Sequence, residues 1–116
     1  MIIAIDFDGV LHDFRHPVEG RRMGMPIEGA KEAVLELKKR HKLIVFTVWG
    51  GTPQGRKTIA DWLVFYGFPR LEITNVKPNA AIFIDDRAIH FTDWTSALNE
   101  CDTLLKTITP MHGENK

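Results

Sequence analysis

Three things are scarce in this sequence. A single cysteine, Cys101, stands among 116 residues, so no internal disulfide can form and the chain suits a reducing cytoplasm. Net charge is absent, since 15 Lys and Arg balance 15 Asp and Glu with His neutral. That balance speaks against a strongly basic nucleic-acid binder and against an acidic disordered tail. Long apolar runs are missing too. The apolar start, Met1 to Ile5, stops at Asp6, far too short for a signal or membrane-crossing segment. No repeat, low-complexity tract or Ser/Gly linker divides the chain. What is left, 44% hydrophobic and 26% charged, reads as one domain over residues 1–116 with one core, cytoplasmic and without a membrane partner.

The order of the residues says more. Ile2 to Ile5, Leu43 to Phe46 and Ala80 to Ile84 are short apolar runs with the signature of buried strands in a parallel sheet. Residues 9–27 carry three glycines and two prolines and read as a loop or flap, with room for a small hairpin. Between Glu28 and His41, the stripe Ala30, Ala33, Val34 and Leu37 predicts a helix. Thr52-Pro53 supplies an N-cap and a first helical proline, and Ile59, Trp62, Leu63 and Tyr66 continue at helical spacing to a stop at Gly67. A weak strand is expected near Leu71 to Thr74. Asp93 or Thr92 would cap a short helix through Glu100, Thr103 to Thr107 would form a last edge strand, and residues 108–116 a frayed tail. Alternating strands and helices predict an α/β fold, a three-layer Rossmann-like parallel sheet flanked by helices.

The informative residues sit where strands end. Asp6 and Asp8 follow the first strand, Thr47 ends the second, and Asp85 and Asp86 end the strand after Lys77. In open parallel α/β sheets, ligands bind at the carboxyl ends of strands. Four carboxylates gathered there resist ionisation unless a cation neutralises them. An all-oxygen donor set favours a hard ion, Mg²⁺, over zinc. Acids, a hydroxyl and a lysine together describe a phosphoryl site.

At this level of detail the sequence resembles the haloacid dehalogenase superfamily. The similarity rests on Asp6-Phe7-Asp8-Gly9-Val10-Leu11, on Thr47 after an apolar strand, on Lys77 before Pro78, and on Asp85-Asp86 after Ile84. It runs from Ile2 to about Phe91, with the four motifs in the family's order. The resemblance implies a sheet of strand order 5-4-1-2-3, a nucleophile at Asp6 and a general acid/base at Asp8. It also implies phosphate binding by Thr47, Val48 and Lys77. The metal site would draw on Asp6, Asp8 (through its backbone carbonyl), Asp85 and Asp86. A carboxylate nucleophile divides one hard displacement into two easier ones, and an aspartate two residues on can serve as acid and then base.

The expectation is a Mg²⁺-dependent phosphomonoesterase acting through an aspartyl phosphate. A phosphotransferase of the same family and a non-catalytic phosphate- or metal-binding module are the alternatives. Family members that select small metabolites usually carry a cap domain in one of two intervals. Here these are Gly9 to Ile27 and Val48 to Val76, and neither can house another core. A capless enzyme with an open site is expected, its substrate a large phosphorylated molecule, nucleic-acid ends included, or its site covered by a second subunit. His12 and His16 are read either as substrate contacts or as ordinary exposed loop histidines, and the pair Arg21-Arg22 either as an anion contact or as solvated loop residues. His90 is as readily structural as functional, and Trp62 and Trp94 are read as packing residues. Trp49 is a candidate for lining the substrate site.

Overall fold

The computed structural model describes residues 1–107, so the expected tail at 108–116 lies outside the described residues. The chain forms two compact units, Met1–Asp86 and a second from Arg87 onward. No helix among the described residues is long and apolar enough to cross a membrane.

The first unit is built on a parallel sheet of four strands: β1 (Ile2–Ile5), β4 (Lys42–Phe46), β5 (Glu72–Thr74) and β6 (Ile82–Ile84). Their order is β5-β4-β1-β6, and no fifth strand joins this sheet among the described residues. Residues 9–27 form a hairpin, β2 (His12–Pro17) and β3 (Gly24–Pro26), pairing antiparallel. Two helices, α1 (Ala30–Lys38) and α2 (Pro53–Phe65), connect the first three strands of the sheet.

Each helix follows local chemistry. Thr52 Oγ1 accepts the Gly55 N–H at 2.9 Å ahead of Pro53, satisfying an otherwise orphaned donor. At the other end Phe68 N–H returns to Leu63 O at 2.9 Å across Gly67, whose φ is +79°, a stop that glycine makes without a Cβ penalty. Helix α1 holds the whole apolar stripe but is shorter than the expected span from Glu28 to His41. Gly29, at φ +86°, stands immediately before it, and of the stripe Ala33 faces solvent.

The core explains why both helices share one face. Ile3 and Ile5 of β1 pair with Leu43 and Val45 of β4, and paired residues project to the same side. These four cluster with Ala30 and Val34 of α1 and with Ile59, Trp62 and Leu63 of α2. Trp62 is the hub. Its ring packs near Phe7, His12, Tyr66 and Phe68, and its indole N–H bonds Gly24 O at 2.9 Å. One side chain thus ties the hairpin to α2.

Three expectations fail for the third strand and the region after it. The strand at Ala80–Ile84 was expected to be buried, but β6 spans only Ile82–Ile84, exposed at 53%, 39% and 37%. β6 is an edge strand paired through β1 alone, and although Ile82 and Ile84 pair with Ile3 and Ile5, neither joins the apolar cluster that α1 and α2 cover. Within the second unit, Thr103–Thr107 is not a strand, because α3 runs unbroken from Trp94 to Thr107. Asp93 caps it, accepting the Ser96 N–H at 2.9 Å, which together with its other donors holds its carboxyl below the ordinary range. Leu104, Leu105 and Lys106 are good helix formers, and extending a helix already nucleated costs little. Trp94, expected to be a packing residue, is 72% exposed at the start of α3, with its ring edge-on to Phe91.

Candidate active site

The chain runs from β1 to β4 to β5 on one side, then returns to place β6 on the other side of β1. Open parallel sheets bind ligands where their order reverses in this way, beyond the carboxyl ends of the strands. Here the reversal lies between β1 and β6, and the residues beyond it are Asp6 on one strand and Asp85-Asp86 on the other. A backbone bond from Asp6 N to Ile84 O, 3.0 Å, holds the two ends together.

Three of the four acids expected here converge. Oxygens of Asp6, Asp85 and Asp86 lie within 4.8 Å of one another. Asp6 is half-buried, while Asp85 and Asp86 are exposed. Burial pushes the Asp6 carboxyl up from 3.8 to about 6; the Phe7 N–H on Oδ1 opposes this, and the charges of Asp85, Asp86 and Asp8 add to the rise. Three carboxylates this close, with oxygen donors only, suit a hard divalent cation. Gly9 lies close against Asp86. Its φ is +85°, and a Cβ there would run into the Asp86 carboxylate.

Asp8 stands apart from this trio and is held differently. His12 Nδ1 lies 2.7 Å from Asp8 Oδ1, and the Trp49 indole N–H donates to Asp8 Oδ2 at 3.2 Å. The histidine tautomer follows from its other nitrogen. Nε2 accepts the Gly24 N–H at 2.8 Å, so it carries no proton and Nδ1–H is the donor to Asp8. His12 is only 4% exposed and stacks on Phe7 with centroids 5.0 Å apart. It is therefore not the exposed loop histidine that its setting suggests. Its position four residues after Asp8, beyond a turn closed by backbone bonds from Val10, Leu11 and His12 to Phe7 O, is the one sequence feature that could have marked it. His16 is exposed and pairs with Asp13; His90 is exposed.

The remaining expected residues surround the strand ends less tightly. Thr47 is buried at the end of β4 and opens a 3₁₀ turn, Val48–Gly51. Its N–H bonds Thr74 O at 2.9 Å, and its Oγ1 makes a long contact of 3.4 Å with the Trp49 N–H. Gly50 is tightly enclosed in this turn, since a Cβ would meet the Thr74 backbone at 2.5 Å. Val48 is 89% exposed. Lys77 extends over the Phe83 ring of β6, its Nζ 5.3 Å from the centroid.

A cavity of about 540 Å³ opens beside Asp8, between the hairpin and the start of α2, with Arg21, Arg22 and Trp49 in its wall. Arginines that read as ordinary solvated loop residues thus border the candidate acid/base. Comparison with known proteins places no relative beside this arrangement: no known family, no curated protein and no solved structure matches the chain.

Proposed function

We propose that this chain is a Mg²⁺-dependent phosphohydrolase of the haloacid dehalogenase type, cleaving phosphomonoesters through an aspartyl phosphate on Asp6. The observation that carries the reading is the division of labour among the acids. Asp6, Asp85 and Asp86 meet at the reversal of the sheet, while Asp8, two residues from Asp6, is oriented separately by His12 and Trp49. Two carboxylates kept in different surroundings are what a nucleophile and an acid/base require.

Asp6, Asp85 and Asp86 would hold the Mg²⁺, joined by the backbone carbonyl of Asp8. The ion would supply positive charge facing the phosphoryl oxygens, which is where catalysis of phosphoryl transfer chiefly lies. Asp6 Oδ attacks phosphorus as the ester P–O bond breaks, and a protonated Asp8 gives its proton to the leaving oxygen. Asp8, now a carboxylate, takes a proton from water. That water attacks the aspartyl phosphate, releasing inorganic phosphate and restoring Asp6. Thr47, Val48 and Lys77 are assigned to the phosphate. The site is capless on this reading. One interval that could carry a lid holds only the β2–β3 hairpin, and the other only the 3₁₀ turn, α2 and β5.

Assay of an alkyl or aryl phosphate with Mg²⁺, with EDTA, and with Asp6→Asn tests the proposal. Activity restored by Mg²⁺ and lost in the variant is expected. Full activity after exhaustive chelation, or in Asp6→Asn, would overturn it.

A further inference from the structure

We propose that the cavity beside Asp8 is a leaving-group subsite that takes a flat, ring-bearing alcohol carrying a second negative charge. This deepens the phosphohydrolase reading and rests on it. In an in-line displacement the attacking and leaving oxygens occupy opposite sides of the phosphorus. With Asp6 attacking, the leaving oxygen faces the acid, Asp8, and whatever is attached to that oxygen extends past Asp8. The space there is the cavity of about 540 Å³ bordered by Asp8, Phe14, Arg21, Arg22, Met23 and Trp49. Its volume lies within the range of small-molecule sites, ~300–1,000 Å³.

The lining sets the chemistry of the occupant. Asp8 is its one carboxylate, set against two guanidiniums. Arg22 has no ion pair among the described residues, and the Arg21 guanidinium rests over the Phe65 ring, 4.6 Å from its centroid. Among the described residues neither guanidinium forms an ion pair with an acid. Lys57, in the adjoining cleft that Arg22 and Trp49 also border, is by contrast tied to Asp61 at 2.7 Å. Guanidiniums in a concave wall recognise carboxylates and phosphates through paired donors. Trp49 spends its N–H on Asp8, and its ring and Met23 give the wall an apolar surface for a planar body. Phe14, with the Arg15 guanidinium 5.6 Å from its ring centroid, borders the same space. An anionic group at one end and a ring between it and the scissile oxygen satisfy both sets of contacts. Nucleoside phosphates bearing a second phosphate belong to this class.

Four phosphomonoesters separate the two features: ethyl, 2-carboxyethyl, benzyl and 3-carboxybenzyl phosphate. All leave as primary alkoxides of similar basicity, so differences in kcat/KM report the cavity rather than the bond. Ring and carboxylate are each expected to raise kcat/KM about tenfold, so that 3-carboxybenzyl phosphate exceeds ethyl phosphate by about 100-fold. Arg22→Gln should collapse the ratio of 3-carboxybenzyl to benzyl phosphate towards unity, and Phe14→Leu should lower the ratio of benzyl to ethyl phosphate. Hydrolysis of all four within about threefold of one another, or a carboxylate preference unchanged in Arg22→Gln, overturns the subsite while leaving the phosphohydrolase intact. Calorimetric binding of the same four to Asp6→Asn with Mg²⁺ separates the two proposals from the other side. If wild type hydrolyses none but the variant still ranks them with 3-carboxybenzyl phosphate tightest, the subsite stands and the reaction assignment falls; equal binding overturns the subsite.

Discussion

Replacing Asp6 by Asn should make the metal-free protein more stable at neutral pH while removing its activity. The amide keeps the shape and can still accept the Phe7 N–H now bonded to Oδ1 at 2.8 Å, so the strand end is preserved. What it removes is a charge that burial and three neighbouring acids disfavour, raising the carboxyl from 3.8 to about 6. Taken whole, that displacement corresponds to ~3 kcal/mol against the ionised folded form. Asp6 is only half-buried, so water screens part of it, and ~1–2 kcal/mol is the working magnitude. The sign follows from proton binding. Between the unfolded value near 3.8 and the folded value near 6, the folded state holds more protons than the unfolded one, so wild-type stability falls as pH rises. Below that window Asp6 is protonated in both states and the substitution gains nothing; above it the full gain appears. Thermal melts in EDTA should show Asp6→Asn higher by about 5–10 °C above pH 6.5 and level with wild type near pH 3.5. Mg²⁺ should narrow the gap, because the variant keeps Asp85 and Asp86 but lacks one of the three carboxylates and gains less from the ion. A variant less stable than wild type at neutral pH, or equally stabilised at both ends, would refute the argument.

Three further outcomes follow from the same geometry. Mg²⁺ affinity measured by calorimetry should weaken as pH falls through about 6, because a proton on Asp6 competes with the ion. Gly9→Ala should cost ~1–2 kcal/mol for its left-handed φ and weaken Mg²⁺ binding, because the new Cβ displaces Asp86; denaturant melts and calorimetry read the two effects. His12→Phe keeps a ring against Phe7 but removes the donor to Asp8 and the acceptor for Gly24 N–H. It should lower kcat about tenfold or more with little change in KM, and His12→Asn, which offers a donor near the Nδ1 position, should recover part of the loss.

The legible parts of this molecule are those that depend on neighbours in sequence. The apolar run of β1 with its Asp6 terminus, the Thr52-Pro53 start of α2, its Ile59-Trp62-Leu63 stripe and its Gly67 stop are all local patterns, and each is found where expected. The gathering of Asp6 with Asp85 and Asp86 was also within reach, because parallel strands aim their carboxyl ends the same way. What could not be read depends on partners far apart in sequence. β6 has the composition of a buried strand, yet it lies outside the apolar cluster built by α1, α2 and the strands they cover. His12 looks like a loop histidine until Trp62, 50 positions later in the numbering, is seen to fix Gly24 and so the acceptor's partner. Thr103 to Thr107 misled for the opposite reason: a short window of threonines and leucines favours a strand, while the helix already begun at Asp93 carries through it.

The most direct test of the central claim is to look for the phosphoryl group on Asp6. Asp8→Asn, which can neither activate water nor protonate a leaving group, should be mixed with Mg²⁺ and 2,4-dinitrophenyl phosphate, whose phenolate leaves without a proton, then quenched in acid and digested for mass spectrometry. A phosphoryl adduct is expected on the peptide containing Asp6, absent when Asp6→Asn is combined with Asp8→Asn and absent in EDTA. Turnover by the wild-type enzyme without any such adduct in the Asp8→Asn protein, or an adduct that survives loss of Asp6, would contradict it.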